Sequence, residues 1–81
     1  MSSTLYVDGL PHAVNEPQLN EIFIQHGTVT AAHVYTSPDT GQSWGFGFVD
    51  MATSEDAKQA IASLNGVELD GHTLKVREAR F

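Results

Sequence analysis

The sequence predicts an α+β fold in which a four-stranded antiparallel sheet carries two helices on one of its faces. Three observations predict this fold. With 81 residues the chain is long enough for one compact domain and too short for two. Apolar residues alternate along short β-prone segments, and they recur at helical spacing along two longer ones. These segments follow one another in the order βαββαβ. We therefore expect residues 1–81 to form a single domain.

The first half of the chain contains a strand, a helix and a second strand. Residues 5–7 are β-prone and run into a turn that contains Gly and Pro. Asn15 and Gln18 have the spacing of a capping box, so a helix begins there, and Gly27 ends it. Residues 29–36 are rich in β-branched and aromatic side chains, which is typical of a strand.

The second half begins with the other strand of a hairpin and continues into a helix. Residues 37–41 combine Ser, Pro, Asp and Gly, and this composition predicts the turn of the hairpin. Residues 44–51 are β-prone again and form its second strand. The second helix begins at Thr53 or Ser54, and its apolar stripe ends before a left-handed cap at residues 65–66.

A minor turn at residues 70–71 precedes the last strand. Residues 73–78 form that strand, because two aliphatic residues alternate there with Lys75 and Arg77. The complete order predicts a split-βαβ, or ferredoxin-like, sandwich with both helices on the same face.

Alternation along the strands sorts their side chains onto two faces. One face is aliphatic and is expected to pack on the helices; it comprises Leu5, Val7, Ala32, Val34, Gly47, Val49, Met51, Leu74 and Val76. The opposite, open face comprises Tyr6, Asp8, His33, Tyr35, Trp44, Phe46, Phe48, Asp50, Lys75 and Arg77. A two-layer sandwich has no further helices to cover these rings, so we expect them to bind a ligand with flat π surfaces. Packing of the rings in a core or in a homodimer contact is the alternative.

The charge balance argues against nucleic acid as a partner. The net charge is −6, with 4 Lys+Arg against 10 Asp+Glu, whereas nucleic-acid phosphates attract basic surfaces. However, Lys75, Arg77 and Arg80 fall within the last seven positions. We therefore expect a local basic strip on an acidic protein.

Two segments resemble a known family. Residues 44–51, WGFGFVDM, resemble the octamer of the RNA recognition motif, and residues 5–10, LYVDGL, resemble its hexamer. The resemblance covers essentially the whole chain and is nearest to short one-domain bacterial RNA-binding proteins and to the domain of plant glycine-rich RNA-binding proteins. It implies a module for single-stranded RNA, with single-stranded DNA as the alternative ligand. It further implies that Tyr6, Phe46 and Phe48 stack on bases or sugars.

The chain departs from the family pattern at three positions. Trp44 replaces the Lys or Arg that begins the octamer, Gly9 stands where the hexamer usually has Asn, and Met51 replaces a final aromatic residue. We expect Trp44 to act as a fourth stacking ring, although it could instead pack against the hairpin loop or Tyr35. The expected RNA-binding set is completed by Tyr35, Lys75, Arg77 and Arg80.

Other chemistries find little support in the sequence. The four histidines, His12, His26, His33 and His72, lack the spacing of metal ligands, and the chain has no Cys. No nucleophile elbow or paired-carboxylate cleft is visible, so we expect no catalytic residues, no metal and no cofactor. With no apolar run of membrane-spanning length and no secretory signal, we expect a soluble protein of the cytoplasm, or of the nucleus in a eukaryote.

Two interaction modes compete with RNA binding. The aromatic face, or an acidic helix face made by Glu16, Glu21, Glu55 and Asp56, could bind a polypeptide. The low positive charge favours such a protein partner. Weak homodimerisation through the exposed rings is the second alternative.

Overall fold

The computed structural model describes residues 3–79 and has the predicted arrangement of strands and helices. Its elements in chain order are β1 (Thr4–Asp8), α1 (Glu16–Ile24), β2 (Val29–Thr36), β3 (Ser43–Met51), α2 (Ser54–Leu64), β4 (Glu68–Leu69), β5 (His72–Thr73) and β6 (Lys75–Glu78). Four of these strands form an antiparallel sheet in the order β2-β3-β1-β6. The predicted ferredoxin-like sandwich is therefore confirmed.

Side-chain caps fix where the two helices begin. The backbone N–H of Gln18 donates to Asn15 Oδ1 at 3.1 Å, and the N–H of Asn15 donates to Gln18 Oε1 at 3.0 Å. This reciprocal pair confirms the predicted capping box of α1. In α2 the hydroxyl of Thr53 accepts from the N–H of Asp56 at 3.1 Å, so the helix begins after Thr53. Neither described helix has the length and apolar character needed to cross a membrane.

The last predicted strand is shorter than the sequence indicated. It begins at Lys75, whereas Thr73 belongs to a separate two-stranded hairpin formed by β4 and β5. The turn of this hairpin is at Asp70 and Gly71, whose φ angles of 50° and 81° are both left-handed. Two consecutive left-handed residues are characteristic of the tight turn that joins paired strands. The sequence predicted a turn there but not the additional hairpin.

Leu74 explains the separation between the hairpin and β6. Its N–H donates to the Val67 carbonyl and its carbonyl accepts from the Gly66 N–H, both at 2.8 Å. Its backbone therefore pairs with the segment after α2 rather than with β1. Next to it, the N–H of Val76 donates to Asn65 Oδ1 at 3.0 Å. These bonds attach β6 to the end of α2.

Burial confirms the predicted division of the sheet into two faces. Residues of the aliphatic face are buried against apolar residues of both helices, including Leu19 and Phe23 of α1 and Ala57, Ala60 and Leu64 of α2. Ala32 is only half-buried and packs at the margin of this core. Both described helices therefore cover the aliphatic face, and the aromatic face is left open.

Two glycines of β3 allow this strand to bulge and to lie close to β2. Between the pairs Val34–Gly47 and Thr36–Ser43, residues 44–46 of β3 lie opposite a single residue of β2. Gly45 lies within this bulge with a φ of 84°, a conformation that strongly favours glycine. At Gly47 a Cβ atom would lie 2.2 Å from the carbonyl oxygen of His33, so only glycine allows β2 to approach this closely.

Candidate nucleic-acid interface

Five aromatic side chains form a continuous layer on the open face, which we call the aromatic surface. β1 contributes Tyr6, β2 contributes Tyr35, and β3 contributes Trp44, Phe46 and Phe48. Trp44 is 56% exposed and Tyr35 is 37% exposed, and the other three rings are half-buried. The structure thus brings together all five of the aromatic residues that the sequence singled out.

Phe46 lies at the centre of the aromatic surface. Its ring centroid is 6.1 Å from Tyr6, 5.2 Å from Tyr35 and 6.2 Å from Trp44. The corresponding interplanar angles are 29°, 25° and 28°, so each of these three rings is close to parallel with Phe46. The Trp44 ring lies beside the Phe46 ring although the bulge at Gly45 separates the two residues along β3. Its ring contact is with Phe46, which fits the expected fourth stacking ring better than packing against Tyr35.

Phe48 has a different orientation from the other four rings. It meets Tyr6 at 5.5 Å and 68°, and Tyr35 at 5.6 Å and 79°. Such edge-to-face contacts are favourable and hold neighbouring rings in place. The aromatic surface therefore combines near-parallel rings with one ring that stands across them. Each unpaired nucleic-acid base has a flat π face that can stack on rings of this kind.

The described Lys and Arg residues of the open face lie along one edge of the sheet. Lys75 and Arg77 are exposed on β6, where they pair across the strands with Asp8 and Tyr6. The guanidinium carbon of Arg77 is 5.0 Å from the centre of the Tyr6 ring, within the range of a cation–π interaction. The third predicted cation, Arg80, lies outside the described residues.

Both carboxylates of the open face have hydrogen-bond partners within the protein. Asp8 Oδ1 accepts from the N–H of Gly9 at 2.8 Å. Asp50 accepts a hydrogen bond from the hydroxyl of Thr4 on the neighbouring strand. Each carboxylate therefore has a hydrogen-bond donor of the protein beside it, and both side chains lie on the open face.

Sequence reasoning missed a pair formed by Glu16 and His33. Glu16, the first residue of α1, reaches the edge of β2, where its Oε2 accepts from the Val34 N–H at 3.2 Å. The same oxygen is 3.0 Å from Nδ1 of His33, whose ring meets Tyr35 edge-on at 4.6 Å and 84°. The sequence placed His33 on the open face and Glu16 on a helix surface. Nothing in the sequence indicates that they meet, because the contact depends on where α1 begins beside β2.

His12 is a second histidine that the structure places beside the aromatic strand β3. Its Nδ1 is 2.7 Å from the carbonyl oxygen of Ser43, and the nearby N–H of Leu10 donates to the Gly45 carbonyl at 2.9 Å. Both contacts attach the loop after β1 to the beginning of β3. Within residues 3–79, no three His, Asp or Glu side chains converge in a group that could hold a metal ion.

Comparison with known proteins identifies similar chains. The model of the RNA recognition motif matches residues 5–75. The 31 kDa chloroplastic ribonucleoprotein of Nicotiana sylvestris is 41% identical over 78 residues, which cover 96% of this chain and 25% of that protein. The chain thus spans about a quarter of the length of this relative.

The solved structures that are similar to this chain include an RNA-binding protein and a protein–RNA complex. The crystal structure of RNA Binding Protein PG1 has a TM-score of 0.90 and 44% identity, and the match covers 96% of this chain and 94% of that one. A Sxl-lethal protein–RNA complex has a TM-score of 0.93 and 31% identity, covering 99% of this chain and 48% of that one. The similarity therefore extends over the whole sandwich, including the strands β1, β2 and β3 that carry the aromatic surface.

Proposed function

The chain belongs to the RNA recognition motif family, and on that premise we propose that it binds single-stranded RNA on its aromatic surface. The observation that carries this proposal is the set of near-parallel rings around Phe46 on a sheet face that both described helices leave open. Tyr6, Phe46 and Phe48 stack on bases or sugars, and Tyr35 and Trp44 extend the stacking surface. The Sxl-lethal relative was solved with RNA, which supports the same class of ligand.

Stacking supplies most of the binding free energy in this proposal. With a net charge of −6, the protein has little of the electrostatic attraction that basic RNA-binding domains use. Lys75 and Arg77 contact phosphates at the β6 edge, Arg80 contributes a third phosphate contact, and the rings hold the bases. Single-stranded DNA offers the same stacking faces, so it competes for this surface, and the 2′-hydroxyl decides the preference between the two.

A titration with labelled single-stranded RNA tests this function. Phe46→Ala removes the central ring and is expected to weaken binding by about 1–3 kcal/mol. Ile24→Ala is the matched control, because Ile24 is an exposed apolar residue on α1, outside the aromatic surface, and its loss should leave binding unchanged. Binding by Phe46→Ala that equals the wild type would overturn the proposal. Ring-dependent dimerisation without RNA binding would also overturn it.

We further propose that residues 1–81 act as one binding domain and carry out no catalysis. The family match over residues 5–75 supports a module that recognises RNA. The compartment proposed is the cytoplasm, or the nucleus in a eukaryotic cell. Imaging a fluorescent fusion in the source cell tests this location, and accumulation in an organelle, as for the chloroplastic relative, would contradict it.

A further inference from the structure

Among residues 3–79, the Lys and Arg side chains of the open face lie at one edge of the sheet. Lys75 and Arg77 lie on β6, and the strand order β2-β3-β1-β6 puts β2 at the opposite edge. Three strand spacings separate these edges, about 14 Å. This exceeds the Debye length of about 8 Å at physiological ionic strength, so the two cations barely act on a phosphate beside β2. The sequences of α1 and β2 contain no Lys or Arg.

His33 is the basic side chain at the β2 edge. Its position is opposite Phe48 in the sheet, and its ring borders the aromatic surface through Tyr35. The side chain is 59% exposed, so a ligand that lies on the rings can reach it. An RNA strand that crosses the sheet from β6 would bring a phosphate or sugar to this edge.

Glu16 lies beside the His33 ring. Its Oε2 accepts from the N–H of Val34 and is 3.0 Å from Nδ1 of His33. A carboxylate on one imidazole nitrogen determines which nitrogen carries the proton there and leaves the other for a ligand. Nε2 is therefore the nitrogen available to RNA.

We propose that His33, positioned by Glu16, is a further RNA-contacting residue that donates from Nε2 to a backbone phosphate when its imidazole is protonated. The inference rests on the proposed function and extends the binding surface to the β2 edge. The other groups near His33 are Tyr35 on its own strand and Asp50 on β3, which is bonded to the Thr4 hydroxyl. Only the imidazolium form of a histidine carries a positive charge and an N–H donor on both ring nitrogens, so the contact requires that form.

The test measures the affinity for one short single-stranded RNA as a function of salt, at about pH 8 and about pH 5.5. For the wild type, the slope of log K against log salt should become steeper at low pH by up to about 0.7, the contribution of one phosphate contact. Affinity at low salt should rise by up to about fivefold, the size of an exposed ion pair. His33→Gln should lose most of both changes. His72→Gln, which removes a histidine from β5 outside the main sheet, should keep them.

Variants of Glu16 test its positioning role. Glu16→Gln keeps an oxygen that can accept from His33 and Val34, and it should retain most of the pH-dependent slope. Glu16→Ala should lose that slope, and the double variant with His33→Gln should bind no more weakly than His33→Gln. A pH-dependent slope that survives in His33→Gln, or additive losses in the double variant, would overturn the inference. If binding at about pH 8 still depends on Phe46, such a result leaves the proposed function intact.

Discussion

Arg77 and Tyr6 form a cation–π pair across two neighbouring strands of the open face. The guanidinium carbon lies 5.0 Å from the ring centre, and the two residues are paired in the register between β1 and β6. A base that stacks on Tyr6 is therefore within reach of a planar cation. Arg77 can contribute both charge and a flat surface, and these two contributions can be separated by substitution.

Replacement of Arg77 by Lys keeps the charge and removes the planar group. We expect Arg77→Lys to retain the salt dependence of RNA binding but to bind more weakly than the wild type. Arg77→Ala should in addition make the slope of log K against log salt less steep by about 0.7. Titrations over a range of salt concentrations check both. If the Lys variant matches the wild type, the role of Arg77 is limited to its charge.

The small number of cations limits the overall salt dependence. Lys75, Arg77 and Arg80 can neutralise at most about three phosphates, so the slope at about pH 8 should be no steeper than about −2. Arg80→Ala should reduce the steepness by about 0.7. A slope twice as steep as the limit would reveal a basic surface elsewhere on the protein.

Trp44 reports on its own role because it is the sole tryptophan of the chain. Adding short single-stranded RNA should quench its fluorescence and protect it from iodide, since the exposed indole extends the stacking surface beside Phe46. Trp44→Arg should restore the usual cation of the octamer and make the salt slope steeper by about 0.7. Unchanged emission in the wild type together with an unchanged slope in the variant would remove Trp44 from the interface.

Stability and binding should respond to different phenylalanines. Phe23 is 0% exposed in the core, so Phe23→Ala should lower the free energy of unfolding by about 3–5 kcal/mol. Phe48→Ala should instead weaken RNA binding by about 1–3 kcal/mol, with a much smaller effect on unfolding. Urea unfolding and RNA titration of both variants provide the comparison. A larger loss of stability in Phe48→Ala than in Phe23→Ala would contradict the assignment of the two faces.

Alternation along the strands was sufficient to predict which side chains share a face. Leu5 and Val7 are buried while Tyr6 between them lies on the aromatic surface, as the period of two requires. The same rule placed Trp44 correctly although the chain bulges at Gly45, because the bulge adds two residues and preserves the alternation. Local sequence thus contains most of the information about the fold and the aromatic residues.

Contacts between distant segments could not be predicted in this way. The pair of Glu16 and His33 depends on how α1 is placed beside β2, and the contact of Arg77 with Tyr6 depends on the register of β6. The break before β6 arises because Leu74 pairs with backbone groups after α2. None of these relationships has a periodic signal, since each joins residues from separate elements.

The close approach of β2 to Gly47 has a consequence for how mutational scans of this protein should be interpreted. Gly47→Ala would place a methyl group against the His33 carbonyl and push β2 away, shifting His33 and Tyr35 relative to the rings of β3. Such a variant would bind more weakly in a screen, although position 47 lies on the buried side of the sheet and not on the aromatic surface. The spacing of the interface is thus set partly by a residue without a side chain. Natural variation at this position would alter the spacing of the rings while every residue of the aromatic surface stayed the same.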